Sequence, residues 1–300
     1  MPSVPHHTVD KPDRNAIRVL ITGFGPFWRY KENPSWAAVK PLHNTMQEDT
    51  APVIQQIYIT TLEVPVLYQD VLTITPGLHA KPPVLPPPAD PAYAALHLPE
   101  NGFDFIFHVG VAGRGPLRLE KLAHKLGYRM KDADGNHAPI VQIPKELPQD
   151  SPEPEIMGKA LLPPMPTQDP HLGDEPRPIE HPEAHQPRGF GKGYETMPDE
   201  LYTEIDVPRL IHHLKDTGIL KVYSSMDAGH FLCDFLFYAS LAEAKRHASK
   251  LEKDKTRSTP PKMTPVLFMH CPPVGQPLDT EEVTDAIKKV VLWVCARLSV

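Results

Sequence analysis

The stretch "ILKVYSSMDAGHFLCDFLFYASLAEAKRHA" (Ile219–Ala248) decides how this chain is built. Its first seven residues form a short apolar run that reads as a strand. The polar turn "MDAG" (Met226–Gly229) follows, and the remainder reads as one long helix. Cys233 sits in the first turn or so of that helix. Two readings stand for it. A free cysteine is most often a small hydrophobe in a core. A cysteine at a helix start is also where aligned peptide dipoles stabilise a thiolate, and the "DAG" turn supplies backbone N–H groups of the kind that hold an oxyanion.

The same alternation repeats outward from this unit. "IRVLIT" (Ile17–Thr22), "VIQQIYITTLEV" (Val53–Val64), "FDFIFHVGVAG" (Phe103–Gly113) and "PVLFMH" (Pro265–His270) are apolar runs expected to be buried strands. Between them lie helical patterns. One starts at Asn33-Pro34, an N-cap followed by proline at the first helical position. Others are "PVLYQDVLTI", "DVPRLIHHLKDTG" and the final "DTEEVTDAIKKVVLWVCARL". In the last, Asp279 and Glu282 form a capping-box start. Val283, Ile287, Val290, Val291, Val294 and Leu298 make one apolar stripe. Near-continuous apolar strands alternating with helices predict an α/β fold, a three-layer α/β/α arrangement around a twisted, mostly parallel central sheet. Active sites of such sheets lie at the carboxyl ends of the strands.

Proline marks the interruptions. The chain has 38 prolines in 300 residues, about two and a half times the usual share of roughly 5%. They concentrate in two stretches, about 76–99 and 136–198, expected to be irregular surface insertions. Residues 1–16 read as a polar tail, and 17–300 as a single domain carrying both insertions. The formal net charge is −6 and no basic block occurs, which argues against nucleic acid or an anionic membrane as partner. No apolar run approaches a membrane span. The N-terminus lacks the apolar core of a signal peptide. Three cysteines without a CxxC pair point to a reducing, cytoplasmic setting.

Several other residues are candidates for chemistry. His270 ends a strand and is either a satisfied polar residue or a general base to Cys233. Cys271, its neighbour, would then face away. His230 is a rival base. Glu120, in "LRLEKLAH", is either an exposed glutamate or the carboxylate that orients an imidazole; Asp227 and Asp234 are nearer to Cys233 in sequence only. "GFGPF" (Gly23–Phe27) fails the dinucleotide fingerprint because Trp28 occupies the third glycine position. Phe24 and Phe27 instead belong either to a loop tucked into the core or to a small pocket for a flat, uncharged ring. "HPEAH" sets His181 and His185 four apart, but Pro182 and its neighbours argue against the helix a zinc pair needs. No metal and no cofactor is expected.

With these residues in hand, the chain resembles the pyroglutamyl peptidase I family of cysteine peptidases. Four stretches carry the resemblance: "VLITGFGPFWRYKENPSWAAVKPL", "HVGVAGRGPLRLEKLAHKLGY", "SMDAGHFLCDFLFYASL" and "FMHCPPVGQP". "EKLAHKLGY" and "AGHFLCDF" are closer to animal-type than to bacterial members. The resemblance implies a triad of Glu120, Cys233 and His270. It also implies a lactam pocket formed by Phe24 and Phe27, with Phe231 and Leu232 near its wall. Bacterial members carry an arginine downstream of the glutamate; here Arg129 and Met130 stand in that region and the role is left unassigned. The implied substrates are small peptides with an N-terminal pyroglutamate, a terminus without an ammonium group, so the site must grip a neutral lactam. Two other readings remain open: an amidase using the same triad on another lactam or acyl-amide, and an inactive scaffold working through its Pro-rich insertions.

Overall fold

Side chains on a strand alternate between faces, and here that period divides each apolar strand between two cores. In β1 (Ile17–Phe24), Val19 and Ile21 enter one core while Leu20 and Phe24 enter the other. In β4 (Phe105–Val111), Phe105, Phe107 and Val109 oppose Ile106. In β9 (Val266–Cys271), Leu267, Met269 and Cys271 oppose Val266 and Phe268. Both faces must therefore be covered. α1 (Pro34–Val39), α3 (Val207–Asp216) and α5 (Thr280–Cys295) cover the first. α2 (Tyr68–Leu78) and α4 (Leu232–Glu252) cover the second. The result is the expected three-layer α/β/α arrangement. The computed structural model describes residues 11–49, 55–142, 186–252 and 263–298.

The remaining strands are β2 (Thr45–Asp49), β3 (Gln55–Val64), β5 (Leu117–Glu120) and β8 (Val222–Ser225). The seven-stranded sheet runs in the order β2-β3-β1-β4-β9-β5-β8. β2 is antiparallel to β3, and β5 to β9; the other neighbours are parallel. A separate antiparallel pair joins β6 (Leu122–His124) to β7 (Glu200–Tyr202). The predicted helix starts form as capped ends. The Asn33 side chain accepts from the Ser35 N–H at 3.1 Å with Pro34 opening α1, and Asp279 and Glu282 close a reciprocal capping box on α5.

The insertions are less peripheral than their composition predicts. Pro76 lies inside the last turn of α2. The chain beyond it is irregular apart from a 3-10 turn at Pro91–Tyr93. Yet Tyr93 packs edge-on against Trp36, with ring centroids 5.1 Å apart. Of the second stretch, 143–185 lies outside the described residues, as does the 181–185 histidine pair. Just beyond, Phe190 and Tyr194 are buried in the core against Phe235 and Tyr238. Proline excludes a regular element without excluding burial, and the aromatic residues of this end take the place a helix face would fill. Of the expected polar tail, residues 1–10 lie outside the description, and Pro12 and Ala16 beyond them are buried. Among the described residues no helix is long and apolar enough to cross a membrane.

Candidate active site

His270 is the penultimate residue of β9 and Glu120 the last of β5. Because β5 runs antiparallel to β9, Arg118 stands opposite His270 and Glu120 opposite Phe268. The alternation of "LRLE" then puts Arg118, Glu120 and His270 on one face. His270 Nδ1 lies 2.7 Å from Glu120 Oε1, in a fully buried contact. The exposed-glutamate reading of Glu120 is thereby overturned; two long-range strand pairings, invisible locally, bury it. Glu120 Oε2 is buried without a hydrogen-bond partner, so His270 is the partner for that carboxylate. An Nδ1–H donated to Glu120 leaves Nε2 with its lone pair, the tautomer a general base needs. Cys271 points into the opposite core.

Cys233 is the second residue of α4. Its thiol stands over Gly110, where an added Cβ would lie 2.7 Å from Sγ. Gly110 is in turn the register partner of His270, so the nucleophile candidate stands over the strand beside the one that carries the imidazole. Burial pushes the Cys233 thiol up from its ordinary value, and the Glu120 carboxylate adds to this, while the Arg118 charge opposes it. The helix start is expected to favour a thiolate, and desolvation works against it; the residue stays partly open to the cavity beside it.

The rival groups are engaged elsewhere. His230 precedes α4 with φ +46°, its Nδ1 3.2 Å from the Leu126 carbonyl and 3.7 Å from Asp234. Asp234 Oδ1 accepts from the His124 N–H and its Oδ2 from the Tyr128 hydroxyl. Asp227 accepts from the Gly229 N–H inside its own turn. Neither carboxylate reaches His270. Arg129 and Met130 are exposed.

Phe24, Phe27, Phe231, Leu232 and Cys233 border one cavity of about 280 Å³, together with Val66, Trp28 and the turn after β4. The Phe27 and Phe231 rings are 5.5 Å apart and tilted. Among the described residues, Arg29 is the one charged side chain on its wall. A larger cleft of about 700 Å³ between residues 11–18 and 98–104 contains none of the candidates for chemistry. Three positions at the site carry little signal in the sequence. Arg118 shares a strand face with Glu120 through its i, i+2 spacing, but only strand register sets it opposite His270. Gly110 has no local signal. Trp28, noted only as a broken glycine motif, is 82% exposed at φ +53° over the cavity, in a two-residue turn closed by Phe27 and Tyr30. Side chains of metal-ligating types gather outside the cavity, at His124, His230 and Asp234.

No family model matches the chain. Over 275 residues it is 24% identical to pyroglutamyl-peptidase 1 of Mus musculus and of Homo sapiens, covering 91% of this chain and 87% of each relative. The crystal structure of Bacillus amyloliquefaciens pyroglutamyl peptidase I superposes with a TM-score of 0.57 at 21% identity, over 94% of this chain and 98% of that one. A mutant pyrrolidone carboxyl peptidase from Pyrococcus furiosus gives 0.57 at 17% identity, over 94% and 100%. At these identities the structural likeness is one of fold, whereas the sequence likeness spans the two strands and the helix that carry Glu120, His270 and Cys233. The chain is similar to pyroglutamyl peptidase I proteins over most of its length.

Proposed function

We propose that the chain is a cysteine peptidase that removes an N-terminal L-pyroglutamyl residue from peptides. Cys233 is the nucleophile, His270 the general base and then acid, and Glu120 the group that orients His270. The observation that carries this reading is the 2.7 Å His270–Glu120 contact beside a thiol held over Gly110, the neighbour of His270 in register.

Burial raises the Cys233 thiol, so a base beside it assists its attack. His270 Nε2 takes the Sγ proton as sulfur attacks the pyroglutamyl carbonyl. The imidazolium so formed is met by the Glu120 carboxylate, whose second oxygen has no other partner. The first N–H groups of α4, which have no partner within a helix, face the developing oxyanion. His270 then gives its proton to the leaving amine, and a thioester remains on Cys233. Water, deprotonated by His270, attacks the thioester; the proton returns to sulfur and pyroglutamate leaves. Phe24, Phe27, Phe231 and Leu232 offer apolar surface to a neutral lactam, which suits a terminus without an ammonium group.

The test is release of aminomethylcoumarin from its pyroglutamyl amide under reducing conditions, by the wild type and by Cys233→Ala. Turnover by the wild type and its loss in the variant are expected, with no effect of a chelator. Wild-type turnover of another lactam amide in preference to the pyroglutamyl one would replace this substrate and keep the triad. Full activity in Cys233→Ala would remove the mechanism.

A further inference from the structure

His124, His230 and Asp234 come from three separate places in the fold, the end of β6, the turn before α4 and the first turn of α4. Their candidate ligand atoms all lie within 4.8 Å of one another. His124 Nδ1 is 3.2 Å and His230 Nδ1 3.7 Å from Asp234 Oδ2. The two imidazoles are 4.3 Å apart between centroids. A tetrahedral zinc with bonds of about 2.0–2.1 Å separates its ligand atoms by roughly 3.4 Å, close to two of these separations before any side chain moves.

The surroundings are built like a support for such ligands. Asp234 is fully buried and held at both oxygens: the His124 N–H reaches Oδ1 at 3.2 Å and the Tyr128 hydroxyl reaches Oδ2 at 3.1 Å. Donors behind a carboxylate orient it as a ligand. His230 is brought in at a local cost. Its φ of +46° lies in the left-handed region, which is unfavourable for a residue with a Cβ. The gap that admits its ring exists because residue 127 is glycine, where a Cβ would lie 2.8 Å from His230 Nδ1. The side chains of His124 and His230 are 19% and 41% exposed, so an ion has an entry path and a fourth position open to water.

We propose that His124, His230 and Asp234 form a binding site for a divalent transition metal, zinc being the best match to two imidazoles and a carboxylate. The ion ties the β6–β7 pair to the start of α4, next to Cys233 but outside the cavity. It takes no part in the peptidase chemistry and is independent of that function. Binding costs the contact of His230 Nδ1 with the Leu126 carbonyl and the hydrogen bond between His124 Nδ1 and Asp234 Oδ2.

The test uses the full chain with Cys233→Ser, so that the accessible thiol cannot ligate, freed of metal by chelator and titrated with Co²⁺ and then Zn²⁺. One equivalent of Co²⁺ should give the visible bands of four-coordinate cobalt without sulfur-to-metal charge transfer. Zn²⁺ should bleach them and raise Tm. His230→Asn, which keeps a residue tolerant of positive φ, and His124→Ala should each abolish the bands. His212→Ala, which breaks the exposed His212–Asp216 pair on α3, should leave them intact. Bands that persist in folded His230→Asn, or no saturable binding, would overturn the proposal. If His124→Ala fails to fold, His230→Asn decides alone.

Discussion

Two buried histidines stand one strand apart on the same face of the sheet, and their partners make them different groups. His108 on β4 pairs in register with Phe268, and His270 lies two residues further along β9. His108 is fully buried, its Nδ1 2.8 Å from the Thr22 hydroxyl and its Nε2 without a partner. Burial drives its pKa down to about 3. A hydroxyl cannot balance an imidazolium, so this ring stays neutral. His270 is 5% exposed, scarcely less buried, but its Nδ1 meets a carboxylate. Burial alone makes a histidine inert; burial beside a carboxylate makes one that can hold a proton in transit.

The largest expected effect comes from erasing that distinction. Glu120→Gln leaves His270 a neutral acceptor of similar shape, the kind of partner Thr22 is to His108. Losing the group that fixes the tautomer and balances the imidazolium is expected to lower kcat/KM by roughly 10²–10⁴-fold, mostly in kcat. The readout is steady-state hydrolysis of the pyroglutamyl amide by folded variant. A loss below about tenfold would put His270 in the class of His108, and the role proposed for Glu120 would fall.

A smaller effect tests what holds the thiol beside His270. β4 accepts an imidazole at His108, yet at Gly110 even a methyl group meets Cys233 Sγ at 2.7 Å and Phe268 Cζ at 2.8 Å. Gly110→Ala should move sulfur or the Phe268 ring. Overpacking of this kind costs about 1–3 kcal/mol of stability, and a displacement near 1 Å costs about 10²-fold in rate. Urea unfolding and the rate of Cys233 alkylation measure the two separately. Normal activity and stability would mean that Gly110 does not set the position of Cys233.

These residues also show where the sequence is legible. The three layers follow from period-two apolar strands and capped amphipathic helices, features confined to short windows. "LRLE" carries Glu120 without a strand pattern of its own, because four residues of mixed polarity become β5 only when β9 and β8 lie on either side. β2, with its polar "TMQED" (Thr45–Asp49), is likewise a strand only through its pairing with β3 at the far edge of the sheet. Phe24, Phe27, Phe231 and Leu232 could be named from the resemblance. Arg118 and the cluster of His124, His230 and Asp234 could not, since strand register in one case and a contact across about a hundred residues in the other bring them together.

The smallest effect at neutral pH concerns His108 itself. Its folded pKa of about 3 lies below the ordinary value of 6.5, so between those values the unfolded chain binds a proton that the folded chain refuses. Stability therefore rises with pH across that window; the contribution is complete above pH 6.5 and is lost as pH falls toward 3. The difference between pH 6.5 and pH 5 is about 2 kcal/mol for one such group. His79, also lowered by burial and by the nearby His108, acts in the same direction. His108→Gln keeps a neutral polar group opposite Thr22 and removes the titration. Peptidase activity at pH 7 should stay within a few-fold of wild type, while the fall in urea midpoint from pH 7 to pH 5 should shrink. An unchanged fall would assign the acid sensitivity to other histidines. A large loss of activity would show that His108, one strand from His270, is not the bystander its partners make it.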